Sequence, residues 1–129
     1  MPHVTVEYST NLDLLVDMQK VIDAVHAAAL ATGFVPLDGL RTRASPRSTY
    51  RIGDGHANNA FVAIAVRLGP GRSADDKHRL LAALLDAVES ALGPDVAATV
   101  MLSAEWHEID PNARINRNNL RPVIAARLP

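Results

Sequence analysis

The chain of 129 residues has the length of one domain with a single hydrophobic core. Its hydrophobic share of 48% and its charged share of 21% are those of an ordinary globular protein and exclude a disordered one. The absence of cysteine excludes disulfides, thiolate nucleophiles and cysteine-bound zinc, and the net charge of −1 gives no general attraction to nucleic acid.

The first part of the chain shows a strand pattern followed by a helix pattern. Residues 3–8 alternate apolar and polar side chains, which predicts a half-buried strand, and Pro2 stands at its start in phase with the apolar positions. A helix is expected next, with Thr10 and Asp13 as a capping box and Gly33 at its end. Its apolar positions recur every three or four residues, at Leu15, Met18, Ile22, Val25 and Ala29.

Two more strands and a second helix are expected beyond it. Residues 39–52 predict a long arginine-rich strand with a bend at Pro46, because proline cannot donate to a central ladder. The nearly continuous apolar run over residues 60–68 is typical of a strand covered on both faces. Ser73 and Asp76 form a second capping box. The apolar stripe of the helix that follows comprises Leu81, Leu84, Leu85, Val88 and Leu92.

A fourth strand over residues 97–106 completes the order strand–helix–strand, repeated once. This order predicts an α/β (α+β) fold, with a four-stranded sheet and two helices on one face, in a single domain over residues 1–129. Residues 1–52 and 53–109 each form a βαβ unit with parallel strands, and residues 110–129 form a polar tail. Because two helices cover only one face of the sheet, we expect oligomerisation to cover the other.

Several kinds of chemistry lack the residues that they need. The five histidines have no metal-binding spacing, and the glycine-rich turns at 53–55 and 69–71 lack the rest of a nucleotide-binding fingerprint. No apolar run is long enough to span a membrane, and no secretory signal is visible. We therefore expect a cytoplasmic protein with no metal, no organic cofactor, no nucleic-acid partner and no membrane contact.

Two features remain that could carry chemistry. Pro2 directly follows Met1, and removal of the methionine would leave a secondary amine on a rigid strand. An α-amino group has a pKa of about 8, and burial or a nearby arginine lowers it toward the range of a general base. The second feature is the set of eleven arginines, four between positions 41 and 51 and four in the tail. Arginine grips carboxylates in a fixed geometry, although any single arginine is more often a surface charge.

Several short motifs stand in one register along nearly the whole chain. They are Pro2-His3, the run Leu30 to Leu37 with Ala31-Thr32-Gly33, Gly39-Leu40-Arg41-Thr42-Arg43, Asp54-Gly55-His56, Ala60-Phe61-Val62, Gly69-Pro70-Gly71-Arg72-Ser73 and Asn118-Asn119. Together these motifs resemble the 5-carboxymethyl-2-hydroxymuconate isomerase family. This family belongs to the tautomerase superfamily, whose members use an amino-terminal proline.

The resemblance implies a trimer of two-βαβ subunits with the open sheet faces turned toward its centre, and contacts between subunits through the tail. It implies an isomerase of homoprotocatechuate breakdown, a pathway of aromatic compound catabolism, acting on a small carboxylate substrate. Pro2 would shuttle the proton, and Arg41 would stabilise the negative charge that develops on the dienol. Arg43, Arg72 and Asn119 would bind the substrate. No cofactor is implied, since the reaction only moves a proton.

One segment departs from the family pattern and leaves alternatives open. Residues 44–51 are more basic and less aromatic than the corresponding family segment. The same proline could therefore hydrate or dehalogenate an unsaturated carboxylic acid. If Met1 is retained, the Pro2 nitrogen is an amide, and the protein would be a non-catalytic trimeric binding protein.

Overall fold

The computed structural model describes all of residues 1–129 as four strands and two long helices, with several short helical segments. The strands are β1 (His3–Ser9), β2 (Arg41–Arg47), β3 (Ala60–Leu68) and β4 (Val100–Glu108). The helices are α1 (Met18–Ala31), α2 (Ala74–Leu92), the short α3 (Pro94–Ala97) and α4 (Arg121–Arg127). Single 3₁₀ turns occupy Thr10–Leu14 and Pro111–Ala113.

The four strands form one mixed sheet in the order β2-β1-β3-β4. β1 pairs with β2 in parallel, β3 pairs with β4 in parallel, and the two central strands β1 and β3 are antiparallel. Each βαβ unit therefore contributes one parallel pair, as the sequence predicts. None of the helices has the length and apolar character that a membrane crossing requires.

The hydrophobic core lies between the sheet and the long helices. Alternate side chains of β1 and β3 point into it, and the helices supply the facing residues. The fully buried strand residues are Val4, Val6, Val62, Ile64 and Val66. Strand residues of the other parity lie on the opposite face of the sheet, which no helix covers. This arrangement confirms the predicted fold class.

The predicted start of the first helix is wrong. Asp17, not Thr10, caps α1, because its carboxylate accepts a hydrogen bond from the backbone N–H of Gln19 at 3.0 Å. Asp13 instead accepts a 2.8 Å hydrogen bond from the hydroxyl of Tyr8. Leu15 precedes the helix and is 63% exposed, whereas the four other predicted stripe positions are buried.

The second helix begins as predicted, and three of its five predicted stripe positions are buried, namely Leu84, Val88 and Leu92. The Ser73 hydroxyl accepts a 3.1 Å hydrogen bond from the backbone N–H of Asp76, which confirms the cap. Leu81 and Leu85 are only half-buried. The buried side chains of α2 recur every four residues and are Leu80, Leu84, Val88 and Leu92.

The long strand predicted over residues 39–52 is shorter than expected. β2 ends at Arg47, which lies opposite Ser9, the last residue of β1, so residues beyond it have no strand to pair with. Pro46 lies inside β2, where it is tolerated because β2 is an edge strand.

The last predicted strand and the tail also differ from the prediction. Residues 94–97 form the short helix α3, so β4 begins at Val100 and continues to Glu108. The tail contains the helix α4, which its polar sequence did not predict.

Candidate active site

Pro2 is buried at the start of β1 and is held there by the neighbouring strand. Its carbonyl accepts a 3.3 Å hydrogen bond from the backbone N–H of Arg41, the first residue of β2. Gly39 approaches it so closely that a Cβ atom there would lie 3.4 Å from Pro2 Cδ and 3.3 Å from Pro36 Cγ. Strand pairing and the turn before β2 therefore place Pro2 in a rigid setting.

A cavity of about 300 Å³ opens beside the amino terminus. Met1, Arg41 and Asn119 contribute to its wall, together with Arg117. Asp38 is its only acidic residue, and its carboxylate is paired with Arg121 at 2.6 Å. The wall therefore presents cations and hydrogen-bond donors, a composition suited to a small anion.

The tail is attached to the loop before β2 by hydrogen bonds. The side-chain amide of Asn118 donates to the carbonyl of Asp38 at 2.7 Å, and its side-chain oxygen accepts from the backbone N–H of Leu120 at 3.1 Å. These contacts, with the Arg121–Asp38 pair, bring Asn119 to the cavity.

The chemistry of the amino terminus is changed by burial and by positive charge. Burial is the largest cause that lowers the pKa of the amino group, followed by the charges of Arg114, Arg41 and Arg72. Both effects disfavour the protonated amine. In the structure this amino group belongs to Met1, directly before Pro2, so the same surroundings would act on the Pro2 nitrogen after methionine removal.

His3 lies between two arginines on the uncovered face of the sheet. Nη2 of Arg41 lies 2.9 Å from its Nε2, and Nη1 of Arg43 lies 3.2 Å from its Nδ1. Burial and the charges of Arg41, Arg43 and Arg67 lower the pKa of His3 to about 4. The imidazole is therefore neutral at physiological pH and does not add to the positive charge.

The predicted site residues do not all meet at one place. Arg41 and Asn119 line the cavity, and Pro2 adjoins it through Met1 and Gly39, whereas Arg43 lies beside His3 on the uncovered face and does not line it. Arg72 is half-buried and donates a 2.6 Å hydrogen bond to the carbonyl of Phe34. Its charge nevertheless helps to lower the pKa of the amino terminus.

Sequence reasoning missed four residues of this region. Arg114, Arg117, Asn118 and His3 all act on the amino terminus, the cavity wall or Arg41. The signals that could have found them were the arginine-rich tail and the Asn118-Asn119 pair, but neither says where the tail lies on the fold.

Two other features of the molecule bear on the choice of site. A larger cavity of about 410 Å³ lies at the opposite end of the sheet, but its wall, which includes Leu14, Leu15 and Asp95, contains no cation. No group of three or more His, Asp or Glu side chains is arranged to hold a metal ion. The cavity at the amino terminus is thus the one that combines a perturbed amine with cationic donors.

Comparison with known proteins identifies the family. The sequence model described as 5-carboxymethyl-2-hydroxymuconate isomerase matches residues 2–124. The chain is 28% identical over 124 residues to the 5-carboxymethyl-2-hydroxymuconate Delta-isomerase of Escherichia coli, covering 95% of this chain and 98% of that protein.

Two crystal structures share the fold over nearly their whole length. A 5-carboxymethyl-2-hydroxymuconate delta-isomerase is 26% identical with a TM-score of 0.85, covering 96% of this chain and 93% of that one. A 5-carboxymethyl-2-hydroxymuconate isomerase from Deinococcus radiodurans R1 is 28% identical with a TM-score of 0.83, covering 95% and 93%. These matches confirm the predicted resemblance and the predicted enzyme class, an isomerase. The chain belongs to the 5-carboxymethyl-2-hydroxymuconate isomerase family.

Proposed function

We propose that the protein converts a 2-hydroxymuconate-type dienol, 5-carboxymethyl-2-hydroxymuconate, to its unsaturated 2-oxo isomer. The observation that carries the proposal is the amino terminus, where burial and three arginines lower the pKa of the Met1 amine directly before Pro2. An amine whose pKa is lowered toward physiological pH can take up a proton and return it. The family's shared name supplies the substrate class, and the cationic cavity suits its carboxylates.

In this mechanism the nitrogen of Pro2, freed by removal of Met1, is the general base. It takes the proton of the 2-hydroxyl group, the O–H electrons form the carbonyl, and the double bonds of the diene shift. The protonated nitrogen then delivers its proton to the carbon at the far end of the diene. One O–H bond breaks and one C–H bond forms, so the reaction needs no redox group.

Arg41 stabilises the negative charge that develops on the oxygen and along the diene. It stands next to Pro2, lines the cavity, and its charge acts on the amino terminus. A fixed cation at such a position favours the transition state over the neutral dienol. Asn119 on the cavity wall and Arg72, whose charge acts on the terminus, bind the substrate carboxylates.

We further propose that the active form is a cytoplasmic homotrimer, with residues 1–129 of each subunit as a single domain and residues 110–129 in contact with neighbouring subunits. The uncovered face of the sheet carries Arg43, Arg67 and the large apolar side chains Phe61 and Met101, the last 64% exposed. In the trimer this face turns toward the centre. Arg43 then binds substrate as part of the assembly rather than at the cavity of its own subunit.

The experiment begins with the intact mass of the purified protein and continues with turnover of 5-carboxymethyl-2-hydroxymuconate. We expect a mass that lacks methionine and an activity that Pro2→Ala abolishes without changing the oligomeric state by light scattering. Pro94→Ala, at the start of α3 near the opposite end of the sheet, is the matched control and retains activity.

Three results would overturn the proposal. Equal activity in Pro2→Ala would show that the nitrogen is not the base. Preferential hydration or dehalogenation across a panel of unsaturated acids would move the protein to another reaction. If the purified protein retains its methionine and shows no turnover, and removal of the methionine by an aminopeptidase restores none, a binding role is supported.

A further inference from the structure

Arg114 follows the segment of the tail that hydrogen bonds attach to the end of the sheet. The backbone N–H of Ile109 donates to the carbonyl of Leu68 at 2.8 Å, which continues the pairing of β3 and β4 by one residue. The Asp110 carboxylate then accepts from the backbone N–H of Asn112 at 2.9 Å and closes the 3₁₀ turn Pro111–Ala113. Arg114 follows in extended conformation, so its backbone is positioned by hydrogen bonds on its amino-terminal side.

The guanidinium of Arg114 lies against Gly69, at the end of β3. A Cβ atom at Gly69 would lie 3.2 Å from Nη2 of Arg114 and 3.9 Å from its Cζ. This is closer than most Cβ contacts, so a side chain at this position would push the guanidinium by a few tenths of an ångström. The β3–α2 loop therefore leaves room for this charged group at Gly69.

Nη1 of Arg114 is buried and has no hydrogen-bond partner in the chain. Buried polar groups in folded proteins are almost always paired, and a buried N–H of a cation is among the most costly to leave unpaired. The two other arginines whose charges act on the amino terminus differ in this respect. Arg41 contacts the ring of His3, and Arg72 donates to the carbonyl of Phe34.

Strands β1 and β3 are antiparallel with His3 opposite Arg67, so Gly69 and the Arg114 guanidinium against it stand at the amino-terminal end of β1. Arg114 is the strongest of the three arginines that disfavour protonation of the amine. No carboxylate of the chain pairs with Arg114. An anion beside the amine would satisfy the buried N–H and balance the local charge.

We propose that Arg114 is a substrate-binding residue whose unpaired Nη1 donates to one carboxylate of the substrate beside the nitrogen of Pro2. The inference deepens the proposed function and rests on it, because it names the contact that a substrate with several carboxylates makes with the tail. Arg41 then stabilises the negative charge that develops on the 2-oxygen, and Arg114 holds a substrate carboxylate so that the substrate is positioned for proton transfer.

The test uses Arg114→Gln and Arg114→Lys in the processed protein, with Arg127→Gln, an exposed arginine at the end of α4, as the matched control. For 5-carboxymethyl-2-hydroxymuconate we expect Arg114→Gln to raise KM on the order of 10- to 100-fold, the range of a charged hydrogen bond, with kcat within about threefold. Arg114→Lys recovers part of this loss. The acid limb of the kcat/KM profile moves to higher pH in Arg114→Gln, because a cation beside the amine is gone.

A purely structural role gives a different result. It lowers the unfolding temperature and kcat together and leaves the acid limb where it is. That result, or an unchanged KM, would overturn the proposal.

Binding of tricarballylate, an unreactive tricarboxylate, provides a second measurement by calorimetry that does not depend on turnover. We expect Arg114→Gln to weaken it at least about tenfold and Arg127→Gln to leave it unchanged. If the wild-type protein binds tricarballylate in this Arg114-dependent way but does not isomerise the dienol, the proposed function fails while the binding role stands. Equal affinity in the wild type and Arg114→Gln removes the binding role alone.

Discussion

Nη2 of Arg41 lies 2.9 Å from Nε2 of His3, its direct neighbour on the adjacent parallel strand. Arg43 approaches the other ring nitrogen at 3.2 Å. A neutral imidazole accepts at only one of its nitrogens, and an imidazolium accepts at neither. The two arginines therefore favour an uncharged His3, whose single acceptor nitrogen can take a hydrogen bond from one of them, while the other lies beside the ring N–H.

Protonation of His3 is expected to destabilise the fold in mild acid. The pKa of His3 is lowered to about 4 in the folded chain, against an ordinary value of 6.5. Between these values the unfolded chain binds a proton that the folded chain does not. The free energy of unfolding is therefore highest above pH 6.5 and decreases as the pH falls toward 4. Urea midpoints measured across this window should fall less steeply in His3→Gln than in the wild type. His78→Gln, in an exposed position of α2, should keep the wild-type slope, and an unchanged slope in His3→Gln would contradict the expectation.

Gly39→Ala is expected to reduce activity by displacing Pro2. The added methyl group would stand 3.3 Å from Pro36 Cγ and 3.4 Å from Pro2 Cδ, and both neighbours are rigid rings. If Pro2 is the base, as proposed, a shift of a few tenths of an ångström in its position should lower kcat by about tenfold. Gly93→Ala is the control, because its surroundings are open and its positive φ of 82° makes it costly for stability alone. A wild-type kcat in Gly39→Ala would show that Pro2 tolerates movement.

Ser9→Ala tests a side-chain hydrogen bond at the end of β1. The buried hydroxyl of Ser9 accepts from the backbone N–H of Phe61 at 3.0 Å, where the ladder between β1 and β3 has ended. The alanine variant leaves that N–H without a partner and should lower the free energy of unfolding by about 1–3 kcal/mol. Ser90→Ala, exposed on α2, should change it by less than about 0.5 kcal/mol. Equal effects of the two substitutions would exclude this role for Ser9.

The register of α2 can be tested with two neighbouring leucines. Leu80 is fully buried and Leu81 only partly so, although the sequence pattern favours Leu81. Leu80→Ala should therefore cost about 2–5 kcal/mol of unfolding free energy, and Leu81→Ala clearly less. Denaturant unfolding of both variants measures the difference, and a larger loss in Leu81→Ala would mean that the helix is rotated from the orientation described.

Much of the fold was predictable because its signals are local. The alternation in β1 and the apolar run of β3 each report directly on burial, and the predicted strand over residues 60–68 has the same bounds as β3. The start of α1 was not predictable in this way, because Thr10, Asp13 and Asp17 are all good capping residues. In the structure Asp13 accepts from the Tyr8 hydroxyl and Asp17 caps the helix, a division of roles that the residue types alone do not reveal.

The candidate site was predictable only where neighbouring strands form it. Pro2 and Arg41 meet because the first βαβ unit pairs the starts of its two strands in parallel. Arg114 and Arg117 follow β4 in sequence, so their approach to the amino terminus depends on the path of the tail across the fold. The lowered pKa of the amino terminus results from burial and from charges on three separate segments, and spacing along the chain does not reveal it.

Met1 occupies space as well as carrying the terminal amine. Its side chain lines the cavity beside Arg41, and its Cγ would stand 3.6 Å from a Cβ atom at Gly39. In the proposed mechanism an unprocessed chain is therefore chemically blocked, and Met1 occupies part of the space beside Pro2. Methionine removal becomes a maturation step like the activation of a zymogen, and the specific activity of any preparation scales with its processed fraction.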